Sequence, residues 1–478
     1  MSTLTKPSSA ATRPAAGTAP DVEIPLVDWG NLALRAGRTG PVLPHMAWRL
    51  RFGESIDEAT LTAEVQRLAA TPYGLGRRIV APRLPGGRHR WRQERQPPPV
   101  NLRPDPLKGA DAEAAWLDRE LGVPLDPEHD AGWRMSAAPT ADGGTLVLIV
   151  VHHLFGTGGG IVNALYGDDD VDPAVGTTQT RFSPENDFTV WREARAIGER
   201  FGLGLQATAQ LARSIPAAWA GRRRDADGTV DPRDPRPVQA SRGRDRTRRP
   251  PSNLRVAAIA TMPAAAWDTC AAEHGGSGTT LLAAVCANLL RRARIARGGS
   301  PDRTLRLLLP IDLTDRDVAR VAQRTSGPSM ELTTAEVVLE GGPPVHRELA
   351  TLRARMKAAF IRDSAQAPTV RGAGDVMRLL PEALTFRAAA QAALRIDGCA
   401  SNVGAIPPGM LRLGPHIADD LAMLGFPIGN ETLTGLARYR DQVAVTVMTD
   451  PVRLGPAADL RSWFAEELAG WGLDEVVG

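Results

Sequence analysis

The sequence has no apolar run that approaches the roughly 20 residues needed for a transmembrane helix. Its longest apolar segments, Leu146–Val151 and Leu305–Pro310, have the length of buried strands. Met1–Pro20 is rich in Ser, Thr, Ala and Pro and contains no apolar signal-peptide core. We therefore expect residues 1–21 to form a disordered tail and any membrane contact to be at most peripheral.

Cysteine and lysine are also scarce. The three cysteines (Cys270, Cys286 and Cys399) are far apart and form no C-x-x-C pair. This pattern argues against a disulfide framework and a cysteine-based zinc site, and it favours a cytoplasmic location. Lysine occurs only three times among abundant Arg, Ala and Gly, a composition typical of a GC-rich bacterial genome.

Charge is nearly balanced, with 57 basic and 54 acidic residues, a net of +3. Residues 221–252 hold ten Arg and five Asp, a net of +5, so the rest of the chain sums to 3 − 5 = −2. This segment is also rich in Pro and Gly, a composition that cannot bury a core. We predict a solvated linker over residues 221–252 and no nucleic-acid partner, because a nucleic-acid site needs basic residues on a structured face.

A chain of 478 residues is too long for one ordinary core. Helix and strand patterns occur on both sides of the linker, which predicts an α/β (α+β) protein with an N-terminal lobe over residues 22–220 and a C-terminal lobe over residues 253–478. The expected strands are Pro44–Gly53, Leu146–Val151, Leu254–Thr261, Thr304–Leu313, Thr333–Leu339 and Gln442–Thr449, with a hairpin at Arg77–Trp91. The expected helices are Asp57–Thr71, Asp111–Leu121, Pro263–His274, Thr279–Ala296, Pro344–Ile361 and Ala457–Gly470, with helical spacing also over much of Asp187–Trp219.

Two adjacent histidines, His152 and His153, follow the most apolar of these strands, and a glycine-rich loop, Gly156–Gly160, comes directly after them. Successive side chains of a strand point to opposite faces, so one imidazole is expected to face a cavity and the other the interior of the lobe. A neutral imidazole beside a flexible loop is suited to act as a general base. Two satisfied structural histidines are the alternative. Adjacent histidines do not readily chelate one ion and no nearby carboxylate completes a zinc shell, so we predict no metal.

The segment His152-His153-x-x-x-Thr157-Gly158 resembles the HHxxxDG motif of the CoA-dependent acyltransferase superfamily, which includes nonribosomal-peptide condensation domains and wax ester synthase/diacylglycerol acyltransferases. A second segment, Ser401-Asn402-Val403-Gly404-Ala405-Ile406-Pro407, is similar to the Ser-Asn-Val-Pro-Gly-Pro motif of the wax ester synthase-like branch. Weaker likenesses at Leu125–Arg134, Thr279–Arg291 and Leu309–Leu313 follow the order of that branch. The resemblance spans about residues 40 to 475.

This resemblance implies two chloramphenicol-acetyltransferase-like lobes, each a mixed sheet flanked by helices, with a substrate tunnel between them. It implies that His153 is the general base and that His152 is turned inward. Thr157 and Gly158 complete the first motif, and Gly156, Ser401 and Asn402 are expected to contact substrate. No tightly bound cofactor is implied. The co-substrate is an acyl-CoA or a phosphopantetheine-bound acyl thioester, the acceptor is a small molecule or a lipid, and an acyl or peptidyl carrier protein is a possible partner.

The chain departs from both motifs. Thr157 occupies the place of the family's Asp, which is understood to pair with an Arg, so the loop is either repacked and active or degenerate. Gly404 replaces the first Pro of the second motif, and Ala405 replaces its Gly. Asn402 either binds substrate or caps a turn.

Three functions remain open from the sequence. The first is an ester-forming acyltransferase that acts on a lipid or a natural-product intermediate. The second is a free-standing condensation-type enzyme that forms an amide or ester from a carrier-bound donor. The third is a catalytically silent two-lobed binding protein.

Overall fold

The computed structural model describes residues 45–70, 75–84, 89–93, 96–155, 255–300, 302–312, 332–340, 348–377, 396–408, 412–425, 432–449 and 457–473, with isolated positions between 190 and 198 and between 342 and 346. The predicted tail, the predicted linker and almost all of Asp187–Trp219 lie outside the described residues. Gly156, Thr157 and Gly158 lie outside them as well.

The described strands, in chain order, are β1 (His45–Phe52), β2 (Arg77–Val80), β3 (Arg90–Gln93), β4 (Val100–Leu102), β5 (Trp133–Pro139), β6 (Thr145–His152), β7 (Val256–Pro263), β8 (Leu305–Asp312), β9 (Leu332–Leu339), β10 (Gly398–Ile406), β11 (Arg412–Leu413), β12 (His416–Ile417), β13 (Asp420–Gly425), β14 (Thr432–Tyr439) and β15 (Gln442–Thr449). The described helices are α1 (Glu58–Ala70), α2 (Ala110–Leu121), α3 (Ala264–Glu273), α4 (Gly278–Ala296), α5 (Ala350–Met377) and α6 (Ala457–Gly470). None of these helices is long and apolar enough to cross a membrane.

The first lobe is a five-stranded sheet in the order β13-β1-β6-β5-β4. All eight residues of its central strand β6 are buried, because each face of the strand is covered. Val147 and Ile149 belong to one hydrophobic cluster with Leu61 of α1, and Leu148 belongs to another with Trp116 of α2. Side chains alternate between the two faces of the strand, and both faces are apolar, so the sequence of β6 is a continuous apolar run.

The second lobe is a six-stranded sheet in the order β7-β15-β14-β10-β8-β9. Its core covers one face of the sheet and contains most of α4, together with residues of α3 and α6. Helix α4 starts where the sequence provides a cap, since the Ser277 side chain accepts a hydrogen bond from the backbone N–H of Thr280. The helix expected at Thr279–Ala296 is confirmed, with one additional residue at its start.

Strand β13 connects the two lobes. It follows β10 in the C-terminal part of the chain, yet it pairs antiparallel with β1 in the first sheet, with Leu50 opposite Leu421. It is also tied to the second sheet, because the Thr446 hydroxyl donates to the backbone oxygen of Met423 at 2.7 Å. The boundary at residue 253 stays a prediction. The pairing of β13 means that the C-terminal part of the chain contributes at least this strand to the first sheet.

A second connection joins helix α2 to the second lobe. Asp118 accepts a hydrogen bond from the backbone N–H of Ala257 at 3.0 Å through Oδ1. Its Oδ2 accepts from Arg461 of α6 at 2.5 Å. Burial raises the pKa of Asp118, and the bonds to Ala257 and Arg461 oppose that shift. One carboxylate thus holds a helix of the first lobe against a strand and a helix of the second.

Several predicted boundaries are wrong. The helix expected at Pro344–Ile361 begins instead at Ala350 and extends to Met377. At its start, a Glu348 carboxylate oxygen accepts a hydrogen bond from the backbone N–H of Thr351. Strand β5, which begins at Trp133, was not among the expected strands. Strand β6 runs from Thr145 to His152, one residue beyond the expected end at Val151, and His153 begins a short 3-10 turn, His153–Phe155.

Candidate active site

The histidine pair lies at the end of the buried strand β6, and a third histidine lies beside it. His152 is 1% exposed, and His45, its partner across the β1–β6 pairing, is equally buried. The two ring centroids are 5.9 Å apart and the rings are tilted by 59°. His45 was not singled out from the sequence, because the β1–β6 register that brings it to His152 joins segments about a hundred residues apart.

Both buried imidazoles are held in their neutral form. The Nδ1 atom of His152 accepts from the backbone N–H of Leu154 at 3.2 Å, and Nε2 of His45 accepts from the backbone N–H of Leu125 at 3.3 Å. A ring nitrogen that accepts a hydrogen bond carries no proton. Burial, and to a lesser degree His153, lowers the pKa of His152 to about 3. Burial, followed by His152, Arg134 and Arg255, lowers the pKa of His45 well below its usual value.

His153 differs from these two rings in its surroundings. It begins the 3-10 turn after β6 and is only partly buried. The next two residues, Leu154 and Phe155, turn back into the hydrophobic core at 3% and 6% exposure. The change from strand to turn therefore separates the two adjacent histidines, of which His152 is enclosed in the lobe and His153 is only partly buried. The catalytic role assigned to His153 stays a prediction.

Gly132 fixes the position of this turn. Its carbonyl oxygen accepts from the backbone N–H of His152 at 2.9 Å, and its φ of 72° lies in the left-handed region that glycine adopts without strain. A Cβ atom on Gly132 would lie 2.8 Å from Cβ of Pro127 and 2.9 Å from Cε2 of Phe155. The absence of a side chain lets the loop before β5 approach the histidine turn closely.

The second motif forms strand β10, in the other lobe. Ser401 and Asn402 pair in parallel with Gly435 and Leu436 of β14, and the register shifts between Asn402 and Gly404. The backbone N–H of Gly404 donates to Oδ1 of Asn402 at 2.9 Å, which closes the bulge. Asn402 therefore does cap a local turn, one of the two roles considered from the sequence.

Gly404 explains one departure from the family motif. Its φ is 85°, with open space where a Cβ would be. Proline is locked near a φ of about −65° and could not occupy this position with the same backbone. Glycine at position 404 is thus compatible with this bulge, whereas proline is not.

Thr279 is a contact of the site that sequence reasoning missed. The Nδ2 group of Asn402 donates to the Thr279 hydroxyl at 2.8 Å. Thr279 is the second residue of helix α4, which follows helix α3. The only sequence signal was the likeness of Thr279–Arg291 to a helix of the family, which gave no reason to pair Thr279 with Asn402.

Both motifs border one hydrophobic cluster. Leu154 and Phe155 of the histidine turn belong to the same cluster as Ile406 of β10 and Tyr439 of β14, and Val403 packs against it. The Tyr439 hydroxyl donates to the backbone oxygen of Ala418 at 2.7 Å, just before β13. The structure thus places the two motifs, about 250 residues apart in the chain, around one apolar contact region between the lobes.

A cavity of about 420 Å³ opens between the lobes at some distance from the histidines. Arg49 on its wall is four residues along β1 from His45, roughly 13 Å at the usual strand rise. Its lining among the described residues includes none of the predicted site residues; it comprises Arg49, Arg51, Gly109, Ala110, Glu113, Ile259, Thr261 and Asp420. The cavity walls are ionic, because Arg49 pairs with Asp420 and Arg51 pairs with Glu113.

One group of described residues offers ligand atoms at a spacing that suits a metal ion, with Asp126, Glu128 and His129 within 4.8 Å of one another. These atoms have protein partners. His129 Nδ1 lies 2.7 Å from Asp126 Oδ2, and Glu128 Oε1 lies 2.8 Å from Nε2 of the buried His89. Mutual ion pairing in this loop accounts for the arrangement, and we assign no metal to it.

Two mixed sheets flanked by helices and joined by strand β13 form the two-lobed fold of wax ester synthase and of condensation domains. The chain is similar to the wax ester synthase/diacylglycerol acyltransferase from Marinobacter aquaeolei VT8, with a TM-score of 0.54, 14% identity, and coverage of 94% of this chain and 99% of that one. It is also similar to the first condensation domain of the calcium-dependent antibiotic synthetase, with a TM-score of 0.53, 15% identity, and coverage of 96% and 100%.

A third similar structure is a variant of the starter condensation domain of rhizomide synthetase RzmA in complex with C8-CoA, with a TM-score of 0.52, 13% identity, and 95% of each chain covered. No protein-family model and no curated protein sequence matches the chain. At these identities the likeness establishes the fold, and it covers nearly the whole chain.

Proposed function

We propose that this protein is an acyltransferase that moves an acyl group from a thioester to a hydroxyl acceptor, with His153 as the general base. The observation that carries the proposal is the contrast within the histidine pair. His152 is buried, neutral and engaged with the backbone of Leu154, whereas His153 lies partly exposed at the start of the turn. The fold, shared with acyltransferases and condensation domains, supports the assignment.

In the proposed reaction, the His153 imidazole accepts the proton of the acceptor hydroxyl as its oxygen attacks the thioester carbonyl. The C–O bond forms, the C–S bond breaks, and the thiolate takes the proton from the imidazolium. A thiolate is a good leaving group, so the site needs no strong acid. No covalent acyl-enzyme is required. Holding donor and acceptor together in the region between the lobes supplies the remaining rate enhancement.

The donor is proposed to be an acyl-CoA or an acyl group on a carrier protein. The structure with C8-CoA, a neighbour of this fold, favours CoA, and condensation domains among the neighbours favour a carrier. The TM-scores of the two groups are too close to separate ester formation from condensation. Ser401 and Asn402 are proposed to line the substrate region from the second lobe.

The test is transfer of one acyl group, presented on CoA and on a phosphopantetheinylated carrier protein, to a panel of alcohols and amines. Replacement of His153 by Ala is expected to lower turnover by ~10²–10⁴-fold, the usual contribution of a general base. The matched control is His274→Gln, which changes a histidine in the second lobe whose Nδ1 contacts the backbone oxygen of Cys270. Its turnover should stay at the wild-type level.

Each alternative has its own outcome. Turnover with the carrier-bound donor alone would identify a condensation-type enzyme. Saturable thioester binding without transfer from either donor would identify a silent binding protein and refute the acyltransferase proposal. Full activity in His153→Ala would also refute it, because burial lowers the pKa values of the neighbouring His152 and His45.

A further inference from the structure

The N-terminus of α4 carries a side chain that helix formation does not need. Ser277 already caps the helix, since its Oγ accepts from the backbone N–H of Thr280 at 3.3 Å and lies 2.9 Å from the Thr280 hydroxyl. The Thr279 hydroxyl instead accepts from Nδ2 of Asn402 at 2.8 Å and has no other hydrogen bond within the described residues. Its contribution is therefore to the second motif rather than to the helix.

The start of α4 is held firmly. The indole N–H of Trp267 donates to the backbone oxygen of Gly278 at 3.3 Å. A Cβ on Gly278 would lie 2.8 Å from that indole nitrogen and 3.2 Å from Nη2 of Arg438. Arg438 is itself fixed by two bonds to Asp268, at 2.9 and 2.5 Å. These contacts hold the Thr279 hydroxyl in a fixed position, so it can orient the Asn402 side chain.

Asn402 is oriented by bonds at both ends of its carboxamide. Oδ1 accepts from the N–H of Gly404 at 2.9 Å, and Nδ2 donates to Thr279. Rotation of the amide by a half-turn would face its NH₂ group against the Gly404 N–H, so the flipped state is disfavoured. The second Nδ2 hydrogen has no acceptor among the described residues, and Asn402 is exposed. This hydrogen is available to a carbonyl oxygen of a bound molecule.

We propose that Thr279 is a positioning residue: its hydroxyl holds the Asn402 carboxamide in the orientation that directs the free Nδ2 hydrogen to the carbonyl oxygen of the acyl donor. The inference rests on the proposed acyl transfer and adds a residue to it. Thr279 does not touch the reacting atoms; it acts through Asn402. The hydrogen bond to the substrate strengthens as negative charge develops on the carbonyl oxygen, so it stabilises the transition state more than the bound thioester.

The test compares Thr279→Val, which keeps the shape and removes the hydroxyl, with Thr279→Ser, which keeps the hydroxyl. A neutral hydrogen bond contributes about 0.5–1.5 kcal/mol, so we expect kcat to fall by about 2–12-fold in Thr279→Val with KM little changed. Thr279→Ser should recover wild-type kcat. In an Asn402→Ala background, Thr279→Val should have no further effect on kcat, since the two residues act as one unit.

A second measurement does not depend on turnover. Hydrogen exchange of peptides spanning residues 398–406 reports the Gly404 amide, which Asn402 protects. Exchange there should accelerate in Thr279→Val and Asn402→Ala but not in Thr279→Ser. Wild-type exchange and kcat in Thr279→Val would overturn the proposal, as would a Thr279→Ser variant as impaired as the Val variant. A wild type inactive with every donor refutes the proposed function instead, and the exchange data then still decide whether Thr279 holds Asn402.

Discussion

Acid should destabilise the first lobe through the buried histidine pair. The pKa of His152 is lowered by burial to about 3 in the folded protein, against about 6.5 for an unperturbed histidine. The unfolded chain therefore binds a proton at a pH where the folded chain does not. The stability that depends on a neutral His152 is complete above about pH 6.5 and is lost progressively as the pH falls towards 3.

The magnitude follows from the shift. One pKa unit corresponds to about 1.4 kcal/mol, so the full shift is worth about 5 kcal/mol, of which about 2 kcal/mol should be lost between about pH 7 and pH 5. His45 adds to this loss, because burial, His152, Arg134 and Arg255 lower its pKa as well. Carboxylates that titrate in the same range change the stability of every variant alike. The informative quantity is therefore the difference between variants.

The assay is urea unfolding at several pH values, for the wild type and for His152→Gln, whose side-chain oxygen can still accept from Leu154. We expect the variant to lose about 2 kcal/mol less than the wild type between about pH 7 and pH 5. His129→Gln, which changes an exposed histidine, should keep the wild-type dependence. If His152→Gln does not fold, His45→Gln provides the same comparison. Identical pH dependence in all variants would refute the argument that the two imidazoles are buried and neutral.

Two further predictions concern close packing. Gly132→Ala should be less stable to urea than Gly143→Ala by about 1–3 kcal/mol. Both glycines have positive φ, but of the two only Gly132 is crowded, by Pro127 and Phe155. Equal losses of stability would contradict this packing at the histidine turn. Iodoacetamide at about pH 8 should leave Cys286 unmodified in the native protein and modify it in urea, because burial raises the pKa of this thiol to about 12. Rapid native labelling, read by mass spectrometry, would mean that the core of the second lobe opens readily.

The elements that the sequence predicted best are those whose signals are local. Strand β15 and helix α6 have the expected bounds, Gln442–Thr449 and Ala457–Gly470. Helix α1 starts after Asp57, whose carboxylate accepts a hydrogen bond from the backbone N–H of Thr60. The capping residue of this helix could therefore be predicted from the sequence. Strands with weaker patterns were missed. β5 carries Arg134, Ser136 and small residues and ends in Pro139, and β14 is interrupted by Gly435.

Features that depend on distant pairing could not be read from one sequence. The contact of β13 with β1 joins residues about 370 positions apart, and no local pattern encodes it. The same holds for His45 beside His152 and for Thr279 beside Asn402. For the site, alternation along a strand predicted that the two adjacent histidines differ in environment. It did not predict that the difference arises from a change of strand into turn at His153.

The surroundings of β6 give a physical reason why His45 and His152 stay neutral. Arg134 and Arg255 lie near His45 and lower its pKa, and the Nε and Nη2 groups of Arg134 are shielded from solvent without a hydrogen-bond partner among the described residues. Burial is the largest cause of the low pKa of both enclosed rings, and for His45 this positive charge adds to it. Because His152 therefore stays neutral, it places no positive charge beside His153 to oppose protonation there. For the general-base role that we propose for His153, such a neighbour is favourable, because it does not compete for the proton.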